Sequence, residues 1–393
     1  MLASRQPSLI SVRRDAWVEI DLAAFENNIA VVRSWLSPGC ELMAVVKSDA
    51  YGHGAAQMGK VAAAAGADWL GVASVDEGCQ LRAAGVSKPI LILSPCPSWA
   101  MSTALESDLS VTVTMAAQVA DLARAAERLG KRAHVQLKID TGMHRLGVSP
   151  SDVMSVLSLI EAEKSLALTG LFSHLCSPDE EQATGGQLAC FKEILSNLSA
   201  SGKLPSLVHL ASGEATRRFP DTHFNLARVG LYLYGLEPRV ASQVVTPVMS
   251  VKARINHLQY VPAGECVGYG WTWCAERPTR LASIPIGYGD GVDRRLSNRM
   301  KGLLGGQQIN QVGLISMDQM LFDVTDIPGA CEGDVITLIG SDQSRTEGGG
   351  SQVTPLNLAS WAAMLDTITY ELACRMRVRL PRIYTRHKSA PAK

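Results

Sequence analysis

Along the first 235 residues, short apolar runs alternate with longer stretches whose apolar residues recur at helical spacing. The runs are MAVVKS (43–48), WLGVAS (69–74), ILILS (90–94), SVTVT (110–114), HVQLKID (134–140), LTGLFSHL (168–175), LVHLAS (207–212) and NLARVGLYLYG (225–235). Between them lie segments such as AAQMGKVAAAAG and MAAQVADLARAAERLG, which read as helices. Runs apolar on both faces suit strands buried in a parallel sheet. Eight strand–helix units are the count of a (β/α)8 TIM-type barrel, whose functional groups gather at the C-terminal strand ends. An open doubly wound sheet gives a similar pattern, and the barrel is the preferred reading.

After about residue 245 the pattern changes. MSVKARINHLQYV, TRLASIPIGYG, QINQVGLISMDQMLFDVT and GDVITLIG alternate or run apolar between Gly and Pro turns. The next helical spacing is in PLNLASWAAMLDTITYELACRM (355–376). The chain therefore divides into an α/β barrel over 14–245 and a mostly β C-terminal domain over 246–393, to which residues 1–13 could attach. SDQSRTEGGGSQVT (341–354) reads as a mobile polar loop.

Composition narrows the function classes. A chain of 393 residues with 37 acidic and 37 basic side chains and no long basic run is a poor partner for nucleic acid or an acidic membrane surface. No apolar stretch approaches the roughly 18 residues of a membrane span, and the opening MLASRQPSLISVRRDAW lacks a signal-peptide core. Nine cysteines, with no CxxC pair, argue against a disulfide framework and a thiolate zinc site and suit a reducing compartment. They read as small core hydrophobes. The expectation is a cytoplasmic protein without a metal.

On the barrel reading, polar groups cluster at strand ends. Lys47 ends the first run, Lys138 and Asp140 the fifth, His174 the sixth and Ser212 the seventh, and Arg228 lies on the eighth. A lysine, several arginines for anions and a histidine beside a ring together match what a pyridoxal phosphate site requires. His53, His174 and His209 are too dispersed to suggest zinc, and GYGDG (287–291) is not followed by a helix-opening dinucleotide fingerprint.

At this point the motifs match a family. AWVEIDLAAFENNI (16–29), AVVKSDAYGHG, KIDTGMHRLG (138–147), ARVGLYLYGL (227–236), AGECVGYGWTW (263–273), IPIGYGDG (284–291), SMDQ (316–319), TITYE (367–371) and RLPRIY (379–384) occur in family order. Over roughly residues 15–385 the chain resembles bacterial-type alanine racemase, a fold-type III pyridoxal phosphate enzyme. The resemblance implies interconversion of L- and D-alanine, supply of D-alanine to peptidoglycan, and a homodimer with shared sites. It implies that Lys47 carries pyridoxal 5'-phosphate and acts as base on one face of the substrate, with Tyr269 as base on the other. A phenol of pKa about 10 needs nearby positive charge for that role. Arg145 would hold the substrate carboxylate and supply such charge, and Arg228 would face the pyridine nitrogen. His174 would lie beside the ring. Tyr51, Tyr370, Gly230 and Leu231 would bind the phosphate. Met317 would bind the substrate through its N–H, and Tyr288 and Asp318 would line the entrance. Lys138 matches a position carbamylated in some members, where the added carboxylate would orient Arg145.

The chain departs from the family pattern in three places. HLASGEAT (209–216) puts Ser212-Gly213 where many members have Asn-Ser, so either Ser212 or the Gly213 amide takes the phosphate role. Leu314 stands in place of an arginine, and Trp271 and Trp273 enlarge the loop beside Tyr269. These departures leave serine or wider specificity open. A barrel-type pyridoxal phosphate decarboxylase and a non-catalytic cofactor carrier are the readings from other classes.

Overall fold

A computed structural model describes residues 14–237, 244–345, 351–376 and 378–386. The chain forms two units, one of them Leu22–Pro247 and the other Val248–Arg386 together with the described residues before Leu22. The first strand, β1 (Ala16–Asp21), thus lies in the β unit, although sequence alone counts it with the barrel. It pairs antiparallel with Met249–Arg254 and parallel with Arg382–Thr385.

The barrel strands are β2 (Glu41–Val45), β3 (Trp69–Val72), β4 (Ile90–Pro95), β5 (Ser110–Val113), β6 (Ala133–Lys138), β7 (Leu166–Phe172), β8 (Leu207–His209) and β9 (Leu226–Val229). Their order is β8-β7-β6-β5-β4-β3-β2-β9, with every pairing parallel. An isolated bridge between Ser212 and Arg228 and the Arg228 N–H bond to the Ala211 carbonyl at 3.1 Å link the two ends. The eight-run pattern is therefore a nearly closed barrel, not an open sheet. β5 and β9 are buried at all four positions, as strands covered on both faces must be.

The connecting helices follow from one-sided apolar spacing. In Ala117–Leu129, Val119, Leu122, Ala123 and Ala126 recur at i, i+3, i+4 and are buried, and Gly130 ends the helix at φ +61. One predicted strand is cut short. NLARVGLYLYG extends only over β9, after which Gly230 bends the chain into a 3-10 turn, Leu231–Tyr234. Tyr232, Leu233 and Tyr234 are buried by packing into the core, so their apolar run does not report an extended strand.

The β unit continues with β10 (Met249–Arg254), β11 (His257–Val261), β12 (Cys266–Val267), β13 (Trp273–Cys274), β14 (Thr279–Ile284), β15 (Lys301–Leu304), β16 (Gln307–Val312), β17 (Met320–Asp323), β18 (Val335–Arg345), β19 (Ser351–Leu356) and β20 (Arg382–Thr385). One sheet runs β11-β14-β17-β16-β15-β18-β10-β1-β20, with β19 on β18, and β12–β13 form a separate hairpin. Residues 341–345 and 351–354, expected as mobile loop, instead pair in β18 and β19, and residues 346–350 lie outside the described residues. Two helices, Leu358–Leu365 and Thr369–Arg375, replace the single late helix expected, because Asp366 takes a left-handed φ of +52 between them.

Candidate active site

Lys47 leaves the barrel two residues beyond β2 and opens an unusual turn. Ser48, Asp49, Ala50 and Tyr51 all hold left-handed φ between +53 and +54. Each such residue costs about 1–2 kcal/mol, so the turn persists only if its surroundings fix it. Glu77 does so from the first turn of the helix Val75–Ala83 after β3, one carboxylate oxygen accepting from the Ser48 N–H and the other from the Ala73 N–H, both at 2.7 Å. The Asp49 carboxylate accepts from the Ala55 N–H at 2.8 Å, and the Ala50 N–H bonds back to the Val46 carbonyl at 2.9 Å. Tyr51, carried on this turn, packs its ring 5.0 Å from that of Tyr234.

Arg228, only 4% exposed, stands at the centre of a buried network. One terminal nitrogen donates to His209 Nδ1 at 2.8 Å and to the His209 carbonyl at 3.1 Å. The other donates to the carbonyls of Ser173 and Leu210 at 2.7 and 3.0 Å and to His174 Nδ1 at 3.3 Å. Arginine has no acceptor, so both histidines must present a lone pair at Nδ1 and carry their proton on Nε2. His209 Nε2 then donates to Gln136 Oε1 at 2.7 Å. The His209 ring also stacks on Phe172 at 4.7 Å. Burial pulls the Arg228 guanidinium down to about 9, which leaves it charged at neutral pH. Burial and then the Arg228 charge hold His209 neutral, and the same pair of causes takes His174 down to about 3.

Lys138, 6% exposed at the end of β6, has its Nζ 5.6 Å from the Phe172 ring centre, and that amine makes no hydrogen bond to a described residue. Burial, followed by the charges of Arg228, Arg145 and Lys47, draws its ammonium down to about 8. Those four cations and His174 therefore share one electrostatic neighbourhood at the C-terminal strand ends. Asp140, the carboxylate that acts on Lys138, holds its turn through one oxygen, which accepts from the N–H groups of Gly142 and His144 at 2.9 and 3.0 Å. Arg145 is exposed on the same turn.

Beside this cluster, Ser212 precedes the helix Gly213–Arg218, and its hydroxyl caps nothing. The first amides of that helix and of the Leu231–Tyr234 turn have no intrahelical partner. Gly230 is a close-approach position, since a Cβ there would stand 2.5 Å from the Tyr51 hydroxyl.

Within the β unit, Tyr269, Tyr288, Met317 and Asp318 occupy three adjoining loops. Tyr269 is 72% exposed in the turn of the β12–β13 hairpin, where Gly268, Gly270 and Trp271 are left-handed. A Cβ on Gly268 would lie 3.8 Å from the Leu314 nitrogen. The Tyr288 N–H bonds the Ser316 carbonyl at 3.0 Å, and the Gly289 N–H bonds the Met317 carbonyl at 2.9 Å. Asp318 pairs with Arg379, which also reaches buried Asp290 at 2.8 Å. Tyr370 is half-buried on the helix Thr369–Arg375.

Sequence reasoning missed several residues that brace the site. Glu77, Gln136 and His209 are described above. Gln187 donates to Thr141 Oγ1 at 3.3 Å and to the His174 carbonyl at 3.1 Å, and accepts from the Cys176 N–H at 2.9 Å, so it ties the loops after β6 and β7. Gln136 and His209 had a readable signal, being polar residues inside otherwise apolar strands. The cysteines also need correction. Cys266 and Cys274 form a disulfide across the β12–β13 hairpin, and Cys176, Cys331 and Cys374 are exposed, so only some of the nine are core hydrophobes. The pairing depends on strand register, which no spacing motif announces.

A parallel barrel with cations gathered at its C-terminal strand ends, followed by a β unit, defines an enzyme of the barrel class. Residues 20–238 match the family model "Alanine racemase, N-terminal domain", and residues 248–384 match "Alanine racemase, C-terminal domain". The chain is 39% identical over 377 residues to an alanine racemase of Nostoc sp., spanning 94% of this chain and 95% of that protein. It is 36% identical over 381 residues to one from Desulfovibrio desulfuricans, spanning 96% and 100%. Its structure is similar to alanine racemase of Bacillus anthracis with bound L-Ala-P, with TM-score 0.87, 31% identity and 98% of each chain covered. The chain belongs to the alanine racemase family and is an isomerase.

Proposed function

We propose that the protein interconverts L- and D-alanine with pyridoxal 5'-phosphate as its cofactor. The observation that carries the cofactor reading is charge. Lys47, Lys138, Arg145 and Arg228 share one electrostatic neighbourhood, and among the described residues the buried Lys138 and Arg228 pair with no carboxylate. Buried cations of that kind are costly unless anions complete them. A phosphate, a phenolate and an amino-acid carboxylate are such anions. The donor set fits: Ser212 or the Gly213 amide, the Leu231 amide and the Tyr51 hydroxyl over Gly230 offer a phosphate cradle. Tyr370 is assigned to the same end. Arg228, with both terminal nitrogens pinned, would offer its Nε–H to the ring nitrogen and, charged at neutral pH, would leave that nitrogen unprotonated. His174, held neutral, would lie beside the ring. Bound there, pyridoxal phosphate supplies an aldehyde that condenses with an amine and a ring that takes up the electron pair when a bond at Cα breaks.

The chain's own residues then handle one proton. Lys47 Nζ removes or returns it on one face of Cα, and the Tyr269 hydroxyl does the same on the other face. Arg145 holds the substrate carboxylate and gives the tyrosine a positive neighbour. The Met317 N–H takes the second carboxylate oxygen, and Tyr288 and Asp318 narrow the entrance. Two fixed bases avoid moving one base around a planar centre. The low pKa of Lys138 favours the neutral amine that carbon dioxide carbamylates, and the new carboxylate would orient Arg145. In the homodimer, one subunit's barrel would meet its partner's β unit, which brings Tyr269 and Met317 to Lys47.

Among the described residues, no helix is long and apolar enough to cross a membrane. We place the enzyme in the cytoplasm, supplying D-alanine for peptidoglycan. The test is incubation with L-alanine in deuterium oxide. A racemase yields deuterated L- and D-alanine, a decarboxylase releases carbon dioxide, and a carrier does neither. Trp271, 74% exposed next to Tyr269, is the observation that calls for serine in the same assay.

A further inference from the structure

The hairpin that bears Tyr269 is closed at its base by Cys266 and Cys274, which face each other in the β12–β13 register. Among the described residues, little else holds its turn. The Thr272 hydroxyl accepts from Asn298 Nδ2 at 3.2 Å, and the Trp271 N–H reaches the Gly268 carbonyl at 3.5 Å. Three of the four residues from Gly268 to Trp271 are left-handed, and the short 3-10 turn Tyr269–Trp271 is broken at Gly270, so little regular structure restores the turn if the base opens. The flanks are better anchored, with Trp273 packed on the cluster of Val261, Ala275, Leu281 and Val312, and the Ala275 N–H bonded to the Glu265 carbonyl at 2.8 Å. Within the single chain Cys274 is exposed and Cys266 half-buried, which puts the bond within reach of small thiols. Exposed disulfides are the labile class that thiol exchange opens and closes.

We infer that Cys266–Cys274 is a redox modification site that clasps the Tyr269 turn, its substrates being small dithiols in one direction and low-molecular-weight disulfides in the other. In the opening step a dithiol's thiolate attacks one sulfur and breaks the Cys266–Cys274 bond. The reagent's second thiolate then displaces the remaining protein thiol. The protein gains two electrons and two protons, and the reagent leaves as its cyclic disulfide. In the closing step the two protein thiols reduce one glutathione disulfide to two glutathione molecules. Opening frees the turn, and displacement of a reacting group by about 1 Å costs up to 100-fold in rate. The inference rests on Tyr269 being a catalytic base.

The experiment treats the cofactor-loaded dimer with dithiothreitol and follows two readouts. Hydrogen exchange of the amides from Cys266 to Cys274 should accelerate at least about tenfold, and racemisation should slow about three- to tenfold. Glutathione disulfide should restore both. The double variant Cys266→Ser/Cys274→Ser should show the slow rate and ignore dithiothreitol, which separates this pair from the seven other cysteines. Unchanged exchange or an unchanged rate on reduction overturns the proposal. If Tyr269→Phe is inactive in that case, the tyrosine assignment stands and the clasp alone fails. If Tyr269→Phe keeps the parent rate while dithiothreitol still slows it, the tyrosine assignment falls and the clasp falls with it.

Discussion

Lys138 shows how a single residue's surroundings set its chemistry. An ammonium brought from 10.5 to about 8 has about 300 times more neutral amine at pH 7 than a free lysine. The sign of the linkage follows: the folded chain binds this proton more weakly than the unfolded one. The charged amine therefore costs the fold about 3 kcal/mol below pH 8, and the cost is relieved as pH rises towards 10.5. Carbamylation removes the charge by another route. Adding labelled bicarbonate to dioxide-stripped protein should give one slowly exchanging carbamate carbon signal, stronger at pH 8 than at pH 7 and absent in Lys138→Arg. Loss of that pH dependence, or a signal that survives the substitution, contradicts the assignment. At this scale the sequence was largely legible, because strand ends of a barrel converge and their polar residues stand out against apolar runs. Glu77 and Gln187 were not, since each acts on a residue distant in sequence and carries no motif of its own.

The elements around the site are shaped by two backbone features. The left-handed turn after Lys47 is held chiefly by Glu77, whose carboxylate serves two backbone donors. Hydrogen bonds to a charged group are worth about 1.5–3 kcal/mol. Glu77→Ala should lower unfolding free energy by about that much and weaken cofactor binding, as a denaturant titration and a cofactor titration would show. A variant with unchanged affinity would mean that the turn holds itself. At the other feature, Gly230→Ala would push a methyl group into the Tyr51 hydroxyl. We expect about a tenfold loss of cofactor affinity with an overpacking cost of about 1–3 kcal/mol. Unaltered affinity would remove Tyr51 from the phosphate cradle. Ser-Asp-Ala-Tyr gives little hint of a four-residue left-handed path, because only Asp49 among them is a residue type that visits that region readily. The strand–helix alternation was readable, whereas the end of β9 was not, since buried tyrosines continue its apolar run through a 3-10 turn.

For the whole molecule, the two-unit division showed in the change of texture near residue 245, yet β1 joins the β sheet from the other end of the chain, which only tertiary pairing reveals. The proposed dimer makes a stoichiometric prediction. Co-expressed Lys47→Ala and Tyr269→Phe subunits restore one of two sites in each mixed dimer, so random pairing should recover about a quarter of the parent rate. No recovery would mean that both groups come from one subunit. The central claim is that Lys47 and Tyr269 work on opposite faces of the substrate carbon. Its most direct test is Tyr269→Phe, loaded with cofactor, in deuterium oxide with each alanine enantiomer separately. The account predicts that one enantiomer exchanges its α-proton through Lys47 without inverting, while the other does not exchange. Exchange of both enantiomers at comparable rates, or continued inversion, would contradict it.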